Sequence, residues 1–117
     1  MKSYLFLVVF ILIQLSSYQG RAEDWSTYYE ESGFKKTPSY LQTINYCQKL
    51  DSASKWIKYT SFGKSPQGRD LPLLIVDKHA NFTPDKVRAS GNAILLIQAG
   101  IHSGEIDGKD AGLMLIR

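Results

Sequence analysis

The sequence predicts an α/β fold with a mixed sheet, and three observations carry that prediction. Apolar residues at helical spacing run through residues 37–53. Three stretches, 54–63, 71–78 and 93–99, have strand composition. Helical spacing then returns from residue 106. A helix, two strands, a further strand and a second helix is an order in which helices cover a sheet.

The chain opens with material of a different kind. Met1 and Lys2 precede residues 4–15 (YLFLVVFILIQL), an almost wholly apolar run of 12 residues. Crossing a bilayer takes about 20. The short basic start, the apolar run and the small residues Gly20 and Ala22 instead have the layout of a secretory signal peptide, cut after Ala22. Residues 1–22 are therefore expected to be removed on export, leaving a secreted or periplasmic chain with no membrane attachment. Lys2 and Arg21 leave with that segment, so the 14 basic residues fall to 12 against 11 acidic ones and the formal charge from +3 to +1. Neither that balance nor any Lys/Arg cluster makes a nucleic-acid footprint, and no nucleic-acid partner is expected.

Residues 23–36 (EDWSTYYEESGFKK) are polar and aromatic without a clear period, and read as a lead-in segment whose aromatic rings dock on the body of the fold. Thr37 and Pro38 then open a helix, with Thr suited to the N-cap and Pro to the first helical position, where its missing N–H is not needed. This helix runs to about residues 50–53 on a stripe of Tyr40, Ile44, Cys47 and Leu50. Cys47 is the only cysteine, so no disulfide closes within the chain, and its place on the stripe makes it a small packed hydrophobe.

Residues 54–63 (SKWIKYTSFG) alternate β-branched and aromatic residues with Lys, Thr and Ser, as a strand does. KSPQGRD is turn chemistry, and LPLLIVDK, nearly continuous in apolar character, is a second strand expected to be covered on both faces. The two pair as a hairpin. Residues 79–92 (HANFTPDKVRASGN) read as a loop punctuated by Pro84 and Gly91. AILLIQAG is the third strand, by composition the most buried. From about residue 106 the chain turns helical, with Ala111, Met114 and Leu115 on one face.

His102 and Glu105 sit just past the end of that third strand and before the last helix. Ligands of open α/β sheets bind outside the carboxyl ends of strands, so the placement suits a site. Imidazole nitrogen and carboxylate oxygen are both good Zn²⁺ ligands, and a catalytic zinc takes three protein ligands and keeps one position for water. Gly100 and Gly104 let the loop fold tightly enough to turn both side chains toward one point. Taken alone, the spacing leaves two readings open. One is a zinc half-site. The other is a strand-end histidine bonded to backbone, with a carboxylate favoured by the dipole of the following helix. His79, with only Asp77 near it, reads as solvated.

The surroundings add to this. IQAGIHSGEIDGKDAG, preceded by SFGKSPQGRDLPLLIVDK, resembles the zinc carboxypeptidase family, the carboxypeptidase A-like metallopeptidases. In that family a Gly-x-Ser-x-x-Gly-Arg turn precedes a strand, matched by Gly63, Ser65, Gly68 and Arg69. A later strand ends in Gly-x-His-x-x-Glu, matched by Gly100, His102 and Glu105. The likeness covers about residues 40–116. Classical digestive members carry Arg two residues after the His, where this chain has Gly104; bacterial-type members, with Gly-Lys-acidic after the loop (here Gly108, Lys109 and Asp110), are more similar.

The resemblance implies the first part of a mixed-sheet α/β/α fold, truncated. It also implies Zn²⁺ as cofactor, held in part by His102 and Glu105, and C-termini of peptides or proteins as substrates of proteolysis. The family's second His ligand, substrate-binding Arg and Tyr, and general-base Glu all follow this loop at some distance, whereas only 12 residues follow Glu105 here. The chain stops at Arg117 directly after GLMLI, without a cap or polar tail, so residues 37–117 are expected to be an incomplete catalytic domain, inactive alone. Two other functions share the pattern: an amidohydrolase or deacylase on the same scaffold, and a secreted member without catalysis. No signal of oligomeric state is present.

Overall fold

A computed structural model describes residues 23–117. The signal-peptide assignment of residues 1–22 lies outside the described residues. The elements are α1 (Tyr28–Glu31), α2 (Tyr40–Ala53), β1 (Ile57–Lys64), β2 (Asp70–Val76), α3 (Pro84–Ser90) and α4 (Asp107–Leu115). The α/β class holds, and the sheet among the described residues is an antiparallel β1–β2 pair. No helix of the described residues is long and apolar enough to cross a membrane.

The lead-in segment contains a short helix that its aperiodic sequence conceals. Thr27 caps α1 and Glu30 reaches back to the Thr27 backbone N–H at 2.9 Å, a complete capping box. The expected docking is visible at Trp25, whose carbonyl accepts from the Tyr46 hydroxyl at 2.6 Å and whose ring lies 4.4 Å from the Lys49 ammonium.

Helix α2 begins two residues later than its sequence suggests. Ser39, not Thr37, is the N-cap, and Gln42 completes a capping box by accepting from the Ser39 N–H. Ser39 followed by Gln42 satisfies two helix-end donors at once, which Thr37 with Pro38 does not. The apolar stripe is as expected at Ile44, Cys47 and Leu50, all buried, while Tyr40 is more exposed and donates its hydroxyl to the Asp70 carbonyl at 3.0 Å. With Ile57 and Leu113 these three side chains make the buried apolar core. Leu50 is the most buried of the five at 3% exposed, and Leu50→Ala is expected to cost about 2–5 kcal/mol, read as a lower urea midpoint.

The hairpin pairs Ile57 with Val76 through to Lys64 with Asp70, with Phe62 as an extra residue between Ser61 and Gly63. That bulge sits opposite Pro72, which has no N–H to give the ladder, so pairing is interrupted where it is already weakest. The expected burial of β2 on both faces is not found: its residues are half-buried and Val76 is exposed, because only β1 flanks it among the described residues.

Two further expectations fail. Residues 79–92 are not all loop, because α3 occupies Pro84–Ser90 with Pro at its first turn and Gly91 left-handed at φ 68° as its C-cap. AILLIQAG is neither a strand nor buried. Ile94, Leu95, Leu96 and Ile97 are 63–83% exposed, and no backbone hydrogen bond ties 93–99 to another segment of the described residues. A strand exists only through its partners, and the described residues supply none for this segment.

Candidate metal centre

The chain reverses at Gly100, whose φ of 66° is in the left-handed region that favours glycine. Gly104 adopts no such angle, so only the first of the two expected glycine hinges is required. Two backbone bonds then close the loop, Glu105 N–H to the His102 carbonyl at 3.1 Å and Ile106 N–H to the Gly104 carbonyl at 3.2 Å. Helix α4 follows at once, with Asp107 and Asp110 in its first turn, where carboxylates complement the helix dipole. The buried face of α4 carries Asp110 and Leu113. Of the face expected from the sequence, Ala111 and Leu115 are exposed and Met114 is half-buried, because α4 is held on another side, where Lys109 and Asp110 bond to the segment ahead of α2.

This turn brings His102 and Glu105 together. His102 Nδ1 lies 2.8 Å from Glu105 Oε1, and the two side chains are 76% and 64% exposed. Of the two readings left open by the spacing, the backbone-bonded histidine is not what the geometry shows: the imidazole faces the carboxylate. Zinc–nitrogen and zinc–oxygen bonds of about 2.0–2.2 Å at a tetrahedral angle would set the two donor atoms about 3.4 Å apart. The observed pair is closer than that by about 0.6 Å, and both side chains are largely exposed, which leaves them room to part. The donor set therefore fits a zinc ion by chemistry and by reach. Among the described residues no cluster of three or more His, Cys, Asp or Glu is present, so this is two ligands and not a closed set.

The Gly63–Arg69 motif forms the hairpin tip. Ser65 organises it: its N–H donates to the Arg69 carbonyl at 2.8 Å, its carbonyl accepts from Gly68 at 2.8 Å, and its Oγ accepts from the Arg69 N–H at 3.2 Å. Gly68, at φ 75°, permits the turn. Lys64 and Asp70 pair across its base at 2.7 Å, and the Arg69 guanidinium lies 5.7 Å from the Tyr40 ring. The motif thus builds a tight turn and fastens it to the start of α2.

His79 is exposed. Its backbone N–H, with that of Asn81, donates to Asp77, and these bonds hold the Asp77 carboxyl below the usual carboxylate range. Cys47 is buried, and burial pushes its thiol from 9.0 up to about 11. A raised folded-state value means that the neutral thiol stabilises the fold below about pH 9, and that this contribution drains away as pH rises through about 11. Cys47 is accordingly expected to resist iodoacetamide in the native chain at about pH 8 and to react once urea unfolds it. Native labelling at the unfolded rate would contradict the packing.

Sequence reasoning missed one group at this site. Thr37 Oγ donates to Asp110 Oδ1 at 3.1 Å, and Lys109 Nζ donates to the Pro38 carbonyl at 2.7 Å. Asp110 is 3% exposed. No local pattern announces bonds spanning 73 and 71 residues.

A family model described as zinc carboxypeptidase matches residues 43–117, a span that takes in both the hairpin-tip motif and the His102–Glu105 loop. No curated protein matches the chain, and neither does any solved structure.

Proposed function

The chain belongs to the zinc carboxypeptidase family, and on that premise we propose that His102 and Glu105 are two protein ligands of a catalytic zinc in an exported metallocarboxypeptidase that hydrolyses the C-terminal bonds of peptides. The observation that carries this is the convergence of an imidazole nitrogen and a carboxylate oxygen, 2.8 Å apart, on one exposed turn. Bound zinc supplies Lewis-acid polarisation of a scissile carbonyl and a water whose pKa lies near neutrality.

The chain's own part is to present the two donors. Gly100 sets the reversal, the Glu105 N–H to His102 carbonyl bond fixes their separation, and the exposure of both leaves the approach open to substrate. The third ligand, the general base and the groups that recognise a terminal carboxylate would come from outside residues 23–117, since no third ligating side chain joins the pair among them. The 117-residue chain is therefore expected to show no peptidase activity alone. Chelator-sensitive release of C-terminal residues by that chain would contradict this. The full test uses the complete gene product: zinc content and C-terminal residue release are measured together, and absence of both sinks the proposal.

A further inference from the structure

We propose that Thr37, Lys109 and Asp110 act together as positioning residues for the His102–Glu105 loop, a role that rests on the half-site reading above. The loop spans residues 100–106, and every residue in it is exposed. Upstream, 93–99 makes no backbone hydrogen bond to another described residue that could orient it. Its direction is therefore set from its other end.

That end is built for the purpose. Ala99, where the chain enters, packs against Gly108, where it leaves: a Cβ placed on Gly108 would meet the Ala99 Cβ at 3.4 Å. The base of the loop thus closes on the first turn of α4. The next two residues fasten that turn to the segment ahead of α2, Lys109 through the Pro38 carbonyl and Asp110 through the Thr37 hydroxyl. Lys109 Nζ also lies 3.7 Å from Asp110 Oδ1, so the buried carboxylate has an ammonium as well as a hydroxyl beside it. At the far end of α4, Arg117 pairs with Glu30, which keeps the helix axis from swinging about the clasp. A half-site whose two ligands share one loop needs that loop held at a constant angle to the body, because any further ligand must come from another segment.

The test compares the 117-residue chain with its Thr37→Val, Thr37→Ser, Lys109→Met and His102→Ala variants, by amide hydrogen exchange and by zinc titration. Thr37→Val keeps shape and removes the hydroxyl. It is expected to speed exchange in the 100–110 peptide about fivefold, the equivalent of one net hydrogen bond, while leaving the 57–76 hairpin peptide unchanged. Lys109→Met is expected to do likewise, and Thr37→Ser to behave as the unaltered chain. Unchanged exchange in 100–110, equal acceleration of both peptides, or no restoration by serine would overturn the clasp. If the unaltered chain binds zinc no better than His102→Ala, the half-site reading fails, and the exchange data alone then decide whether the clasp orders the loop.

Discussion

His102→Ala is expected to lower zinc affinity by more than about 100-fold, since loss of a mere outer-shell partner of a metal ligand already costs about 10–100-fold. On the function proposed above, a longer chain that supplied the remaining ligands should lose peptide hydrolysis to background with the same change. The fold should be indifferent to the change. His102 is 76% exposed and its side chain bonds, among the described residues, to Glu105 alone, so its removal leaves no buried donor or acceptor unpaired there, and stability read from the urea curve should stay within about 0.5 kcal/mol of the parent. Glu105→Gln separates charge from geometry: the amide can still bond to the imidazole but offers the metal a neutral oxygen, so affinity should fall while the loop keeps its shape. Metal content after dialysis, set beside a denaturation curve, reads both. An alanine variant that retains zinc as the parent does would remove His102 from the site.

The second large effect concerns residues 93–99. Here Ile94, Leu95, Leu96 and Ile97 stand 63–83% exposed in a stretch without charge or proline, and its backbone groups bond to no other segment among the described residues. Such a segment has the composition of aggregation-prone strands. Burying an aliphatic side chain fully is worth about 1.5–3 kcal/mol, so two copies that cover each other's four side chains gain on the order of 12–24 kcal/mol, against association costs of about 4–15 kcal/mol and the roughly 8 kcal/mol net that micromolar self-association requires. The 117-residue chain should therefore sediment as species larger than a monomer at micromolar concentration. Leu95→Lys with Ile97→Lys should return it to a monomer without altering the hairpin, because neither side chain supports any described element. A parent chain that sediments as a monomer throughout would contradict the expectation.

The parts of the fold legible in the sequence are those fixed by local chemistry. Ile44, Cys47 and Leu50 reveal the buried side of α2 because helical spacing alone puts them on one face. The β1–β2 hairpin is legible because its turn residues lie between two strand-like runs. Helix α3 was equally open to reading: Pro84 at the first turn, Asp85 beside it and Gly91 at the C-cap spell a helix, and the same Pro and Gly taken as loop punctuation conceal it. The buried side of α4 was not legible. Asp110 is buried because Thr37 and Lys109 lie beside it, and hydropathy places an aspartate at the surface. Nor could composition show that 93–99 lacks strand partners among the described residues. At the site, the identities and spacing of His102 and Glu105 were visible, and their actual meeting depends on the Gly100 reversal and the α4 clasp.

The bonds that hold α4 have a consequence for the order of events as the chain folds. The hairpin and α2 can form from neighbours in sequence, early and fast. Thr37 with Asp110, Pro38 with Lys109 and Glu30 with Arg117 close circuits of 73, 71 and 87 residues. Closing circuits of that length is entropically costly and gains nothing until both ends exist. During synthesis the His102–Glu105 turn thus stays unorganised until the last described residues have been made, and the earlier-made residues of the lead-in segment must wait, uncommitted, for the helix they will hold.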